Sequence, residues 1–276
     1  MSSCKVYLPC PALRPFISHY DLVRGDADAK PSLIPPQLSS GFSFCEFLDA
    51  PLKVSNKTLK PKTLPDSFII PVHTRGYAVD FNQLSWALGV HFLPGKFFEF
   101  FGWPQYLFRE EEAVMPADTD HGKDFAELRE QIFESRDDAR KIALAEGFLL
   151  RHFPSKTTFL PAMDYILQKM IQAGGLASLP DLRWKTGLSE RHFRRLFLEH
   201  TGISSRTFQR ILRFYKAFGL LKSTPDPVLQ DIAFEAGYFD QAHFIRDFKE
   251  YTGLPPHEFL QQQPRLPDDL AWKTPK

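Results

Sequence analysis

The sequence predicts a multidomain α+β protein. A β-rich N-terminal α/β domain, built as a partial barrel plus helices, precedes an all-α domain of two helix-turn-helix units joined by a linker helix. Three observations predict this. The chain has 276 residues, more than one typical domain, and each half is long enough to bury its own core. Its character changes near residue 153, from short apolar or alternating runs broken by proline and glycine to long helical periodicity. And one pattern is written twice: HFRRLFLEHTG (192–202) returns 51 positions later as HFIRDFKEYTG (243–253). Upstream, LPDLRWKTG (179–187) aligns with LQDIAFEAG (229–237) after a one-residue slip, giving a repeated unit of about 24 residues, the size of a helix-turn-helix. The expected domains are 1–153, 157–262, and a flexible tail over 263–276 that has too little apolar content to pack.

In the first domain, FISHYDLV (16–23), GFSFCEFL (41–48), SFIIPVH (67–73), GYAVDF (76–81) and SWALGVHFL (85–93) have strand lengths and strand punctuation. They predict a small antiparallel sheet or partial barrel. Pro94-Gly95 turns the last of them into an apolar helix start. FAELREQIFES (125–135) and ARKIALAEGFLLRHF (139–153) space apolar residues at three and four, as helices do, and Pro154 ends the second of them ahead of a linker.

In the second domain AMDYILQKMIQA (162–173) stops at Gly174-Gly175. Ser178 is placed to cap the next helix, with Pro180 in its first turn. Gly187 turns the chain and Ser189 caps a helix that runs through His200. A long basic helix follows over Ser205 to Lys222, closed by STPDP, in which Asp226 is expected to cap the following helix with Pro227 at its first position. Helices over 228–236 and 240–251, about the turn at Gly237, complete the second copy, and 256–262 adds a last helical turn or two.

Charge is concentrated although the total is +1. Between Arg183 and Lys222 stand ten basic residues against Glu190 and Glu199, a net +8, which suits a polyanionic partner. In copy one Phe193, Leu196 and Phe197 share a helical face, and Arg191, Arg194 and Arg195 fall largely on the other. In copy two Phe244 and Phe248 are the matching core pair, leaving Gln241, Ala242, His243 and Arg246 for the outer face. A single arginine on such a helix is usually just solvated. Three in five residues, on a helix that follows a glycine turn and recurs downstream, favour a reading head, since arginine and glutamine address base edges bidentately in the major groove. The 18-residue linker would hold two such heads roughly 27 Å apart, close to the ~34 Å between successive major grooves. Arg206, Arg210, Arg213 and Lys216 on that linker would meet phosphates or cap neighbouring helices, with Ser189 and Lys249 as further positioning contacts; Arg213 is equally well read as a buried bridge between the two units.

The segment 160–262 resembles the C-terminal DNA-binding domain of the AraC/XylS family of bacterial transcription regulators. The likeness rests on IAFEAGYFDQAHFIRDFKEYTGLPP, where Ile232, Ala233, Gly237, Tyr238, Asp240, His243, Phe244, Arg246, Phe248, Lys249, Gly253 and Pro255 or Pro256 stand at that family's signature positions. LSERHFRRLFLEHTGISSRTFQ fits the same pattern, and Arg213, Ala217 and the leucines at 220 and 221 match its linker helix. The resemblance places base reading on Arg191, Arg194 and Arg195 and on Gln241, Ala242, His243 and Arg246. Ile232, Ala233, Gly237, Phe244, Phe248, Phe193, Phe197 and Arg213 would then be structural. Asp231, Glu235, Asp240, Asp247 and Glu250 make copy two less basic, so copy one is expected to supply most of the affinity. PALRPFISHY, PPQLSSGFSF and WALGVHFLPGKFFEFFGWP are similar to an uncharacterised N-terminal domain carried by a subset of these regulators, a domain that would receive a signal or dimerise.

The expected partners are therefore double-stranded promoter DNA, RNA polymerase, a small apolar effector and a second copy of the chain. Phe42, Phe44, Phe47, Phe81, Trp86, Phe92, Phe97, Phe98, Phe100, Phe101 and Trp103 are first of all a core; any pocket among them would take an aromatic or other hydrophobic molecule, and exposed members of FFEFFGW would form a dimer face. His19, His73 and His91 are scattered singly along the sequence, His192 and His243 lack ligand company, and no metal or cofactor is expected. Cys4, Cys10 and Cys45 have neither zinc spacing nor the number for a disulfide framework. An enzyme carrying such a DNA-binding module, as in the alkyl-transfer proteins of the adaptive response, would need an activated cysteine and a four-cysteine zinc site; neither they nor P-loop, G-x-S-x-G, H-E-x-x-H or dinucleotide patterns are present. With no signal peptide and no long apolar span, a cytoplasmic bacterial regulator is the expectation. The competing class is a helical protein that associates with DNA nonspecifically and has no effector.

Overall fold

The computed structural model describes residues 3–25, 31–55, 61–108, 114–154 and 160–262. The junction expected just after Pro154 and the tail over 263–276 lie outside these residues.

Nine strands are present among the described residues: β1 Ser3–Tyr7, β2 Ile17–Arg24, β3 Ser32–Ile34, β4 Gly41–Phe47, β5 Lys53–Ser55, β6 Lys62–Thr63, β7 Ser67–Ile70, β8 Tyr77–Asp80 and β9 Leu84–Phe92. They form two antiparallel sheets, ordered β1-β2-β9-β4-β7 and β3-β8-β5-β6. No strand is shared between the sheets, so the barrel is partial.

Strand β4 is buried on both faces because it has a layer on each side. Phe42 and Phe44 point into a core with Trp86, Leu88, Val90 and Phe92 of β9. That core is closed by α1 Lys96–Phe101, α2 Gly122–Glu134 and α3 Asp138–Arg151 through Phe97, Phe125, Leu128, Ile132 and Phe148. Phe42 meets Phe44 and Phe125 edge-on at 5.8 and 5.2 Å, the arrangement aromatic quadrupoles favour. Cys45, from the opposite face of β4, packs with Leu52, Val54, Tyr77 and Val79 of the second sheet. Lys141 of α3 is buried yet satisfied: its Nζ donates to the carbonyls of Ile132 (3.0 Å) and Ser135 at the end of α2 and lies 3.8 Å from the Trp86 ring centroid.

The helical domain comprises α4 Pro161–Gln172, α5 Leu179–Thr186, α6 Glu190–Thr201, α7 Ser205–Ser223, α8 Leu229–Glu235, α9 Gln241–Thr252 and α10 Pro256–Gln262. One expected cap is corrected. Asp226 does not cap α8; it takes φ 49°, and the helix begins at Leu229 behind Val228 with no side-chain cap. The residue before a proline is pushed out of the helical region, and aspartate tolerates the left-handed one, so Pro227 converts the expected cap into a turn.

The first half of the FFEFFGW segment is turned inward, leaving Phe101 and Trp103 half-buried. Phe97, Phe98, Glu99 and Phe100 are buried, and Phe98 lies 4.4 Å, ring to ring, from His200 on α6 of the helical domain. Around it Lys96 Nζ reaches Asp164 of α4 at 2.5 Å, the Tyr215 hydroxyl on α7 donates to Pro36 O at 2.5 Å, and Leu38 is fully buried in the helical domain's core. The two domains therefore share an interface that includes the C-terminal end of α6, one side of α4 and α7, and the end of α9, where Arg75 lies 4.0 Å from Glu250.

Candidate nucleic-acid interface

The two repeated units are built on one frame. Ser189 accepts the His192 amide at 3.3 Å at the start of α6, and Asp240 accepts the His243 amide at 2.7 Å at the start of α9. At the other ends Thr201 and Thr252 donate to Phe197 O (2.7 Å) and Phe248 O (2.8 Å), and the helices stop at Gly202 and Gly253. Gly187 and Gly237, at φ 68° and 80°, make the turn before each second helix. At Gly237 a Cβ would stand 2.1 Å from a Leu176 methyl, so a side chain is excluded by contact as well as by conformation.

Inward, Phe193, Leu196 and Phe197 of α6 and Phe244, Phe248 and Tyr251 of α9 are buried in a single core with Ile232, Ala233 and α7. Outward, α6 exposes Arg191, Arg194 and Arg195, and α9 exposes Gln241, Ala242 and Arg246, with His243 half-buried against Tyr238. The only two acids of the basic window are both engaged at the surface: Glu190 with Arg194 and Arg183, Glu199 with Arg195 at 3.2 Å. Arg194 and Arg195 stay about two-thirds exposed, and such pairs contribute little and open readily toward another anion. The N-terminal domain meets α6 at His200, away from the arginines.

The linker arginines differ among themselves. Arg206 is exposed. Arg210 is occupied within the protein, donating to both carboxylate oxygens of buried Asp247 at 2.9 and 2.7 Å and to Glu250 at 2.5 Å; these contacts hold its guanidinium charged far above neutral pH. A phosphate role for Arg210 gives way to clamping α9 onto α7. Arg213 is half-buried and bridges as well, with Nη1 3.3 Å from Gly237 O at the turn of the second unit. Lys216 Nζ caps Glu235 O at the end of α8 at 2.6 Å, and Lys249 is exposed. Of the acids that made copy two look unfavourable, Asp240 is a cap and Asp247 and Glu250 are neutralised by Arg210.

Sequence reasoning passed over three exposed aromatics, Trp184 (83%), Phe234 (84%) and Phe239 (94%). Trp184 and Phe234 occupy the same column of the repeat, on the first helix of each unit. An aromatic twice in one column outside the apolar stripe was the available signal.

The histidines of the first domain are also corrected. His73 stands apart, its Nε2 3.0 Å from Pro35 O. His19 and His91 do not: they are directly opposed on β2 and β9 with rings stacked at 4.6 Å, beside Asp21.

Among the described residues no helix is long and apolar enough to cross a membrane. The chain matches a helix-turn-helix domain family over residues 184–262 and a domain of unknown function (DUF6597) over residues 5–113. It is 33% identical to an uncharacterised HTH-type transcriptional regulator of Haemophilus influenzae, over 34% of this chain and 39% of that one. It is 25% identical to the HTH-type transcriptional regulator GbdR of Pseudomonas aeruginosa, over 55% of this chain and 43% of GbdR. The chain thus spans less than half the length of these curated relatives. Among solved structures it is similar to a probable AraC family transcriptional regulator of Rhodopseudomonas palustris, with 26% identity, a TM-score of 0.34 and coverage of 38% of this chain and all of that one. With its signature residues standing at the caps, turns and core positions of two equivalent helix-turn-helix units, the chain carries an AraC-type helix-turn-helix domain over residues 184–262.

Proposed function

We propose that the protein is a sequence-specific regulator of transcription that reads two adjacent major grooves of promoter DNA, with α6 in one and α9 in the other. The observation that carries this is the duplicated frame: two equally capped helices tied to one linker, each turning a polar face outward while its phenylalanines hold the core. Arg191, Arg194 and Arg195 would read or hold the first half-site, and Gln241, Ala242, His243 and Arg246 the second. Arg206 and Lys249 would approach phosphates, and Ser189 fixes the entry of α6. Such chemistry needs no catalytic group. The N-terminal domain, seated against α4, α6 and α7, would set the relation between the two heads and so pass on a signal from an effector, a second copy or RNA polymerase.

Selection of bound sequences from a random duplex library by the full-length protein, at near-physiological salt, tests the proposal. The expected product is a two-part motif with half-sites about one helical turn apart. Binding with a steep salt dependence and no enriched motif would identify a nonspecific DNA-associated protein instead.

A further inference from the structure

On the sheet face that turns away from α2 and α3, three ligand-type side chains meet. His19 and Asp21 are on β2 and His91 is on β9, and the register places His19 opposite His91 and Asp21 opposite Gly89. The imidazoles stack at 4.6 Å with 11° between their planes. His91 Nε2 lies 3.2 Å from Asp21 Oδ2, and one donor atom from each of the three residues falls within 4.8 Å of the others. We propose that His19, Asp21 and His91 form a binding site for a divalent first-row transition-metal ion.

Four features carry this. The donor set is two imidazole nitrogens and one carboxylate oxygen, the mixture that zinc and its neighbours accept and that hard, all-oxygen cations do not favour. Gly89 leaves the space open: a Cβ there would stand 2.1 Å from Asp21 Oδ1 and 2.6 Å from His91 Nε2. His91 is buried with its Nε2 facing the Asp21 carboxylate at 3.2 Å, so an imidazole nitrogen and a carboxylate oxygen already converge. Ser18 Oγ, 3.0 Å from His19 Nδ1, supplies the outer contact that orients a ligating ring. Ligand atoms around zinc stand about 3.3 Å apart, so closing the set takes side-chain rotation and no change of register.

Cys45 is no competing ligand: burial raises its thiol to about 12. A second group, His121, Asp124 and His152, differs in kind. His152 is already bonded through both nitrogens, to Phe148 O at 2.9 Å and Asp124 Oδ2 at 2.8 Å, and Asp124 is exposed. It serves as the control.

Full-length protein stripped with a chelator is titrated with Zn²⁺ by calorimetry and with Co²⁺ by visible absorption. The expected result is one ion per chain and a Co²⁺ spectrum without a thiolate charge-transfer band. Asp21→Asn and His19→Gln should each weaken binding by at least ~10- to 100-fold, since even outer-shell partners are worth that much, and His152→Gln should leave it unchanged. His19 is partly exposed, so His19→Gln decides the matter if Asp21→Asn fails to fold. The proposal is overturned by absence of binding, by a thiolate band, by wild-type affinity in His19→Gln, or by loss confined to His152→Gln.

Discussion

Lys96 Nζ, at the start of α1 in the N-terminal domain, lies 2.5 Å from Asp164 Oδ1 on α4 of the helical domain and 2.7 Å from Glu99 Oε2 one turn along its own helix. One ammonium thus serves two carboxylates, and the Glu99 side chain is almost wholly buried, with Oε1 unpartnered. Burial raises Glu99 to about 7, Lys96 opposes that rise, and Asp164 adds to it.

The folded state consequently holds a proton on Glu99 that the unfolded chain gives up near its ordinary value of 4.5. The stability it contributes is complete below that value and is lost as pH rises through about 7. Denaturant titrations between pH 5 and pH 8, covering roughly the window of that linkage, should show wild type losing stability relative to Glu99→Gln as pH increases. Parallel profiles for the two proteins would show that Glu99 is ionised throughout.

Arg210 and Asp247 join the linker helix to the second recognition helix through a two-pronged contact, and Asp247 is 2% exposed. Arg210→Ala would leave that carboxylate buried without its cation, at a cost of about 3 kcal/mol. Adding Asp247→Asn should recover part of the loss, because an amide costs less than a charge to bury. If instead the two losses simply add in a double-mutant cycle, the pair is not coupled and α9 is held by its phenylalanines alone.

How much of this was legible follows from where the information lies. The repeat, its caps at Ser189 and Asp240 and the outward arginines are local, written within single turns of helix, and the sequence carries them directly. So are β2, β4, β7, β8 and β9, whereas the five residues of β1 were passed over. The short β3, β5 and β6 owe their pairing to neighbours rather than to their own two or three residues, and they leave no periodicity to read. His19 and His91 are 72 positions apart, and only the register of β2 on β9 makes them neighbours. Arg210 looked like part of a basic field because its partner sits 37 residues downstream. Charge counting finds the field but not the pairs that subtract from it.

Phe248 is fully buried and touches Phe214, Phe244 and Phe259 with ring centroids 5.3 to 5.7 Å apart. Phe248→Ala should destabilise the helical domain by ~3–5 kcal/mol through the cavity it opens. Phe197, its counterpart in copy one, contacts Phe193 and Phe208 and should cost a similar amount. Thermal unfolding of both variants checks this. An unchanged midpoint for either would remove that residue from the core.

The two reading heads should differ in what they lose. On α6, Arg195 is 63% exposed and restrained by Glu199, whereas on α9 Arg246 Nε reaches the Ala242 carbonyl of its own helix at 3.4 Å. If Arg195 pairs a base, Arg195→Ala costs ~1–3 kcal/mol on the preferred site and relaxes the motif at a single position, with little change for unrelated sequences. If it meets a phosphate, affinity falls about equally for all sequences and the slope of log affinity against log salt decreases by about 1. Arg246→Ala, scored on the same panel of duplexes, should relax a position about one helical turn away from the one Arg195 controls. Relaxation of the same position by both variants would mean that the two helices converge on one half-site, and two-groove reading by a single chain would have to be abandoned.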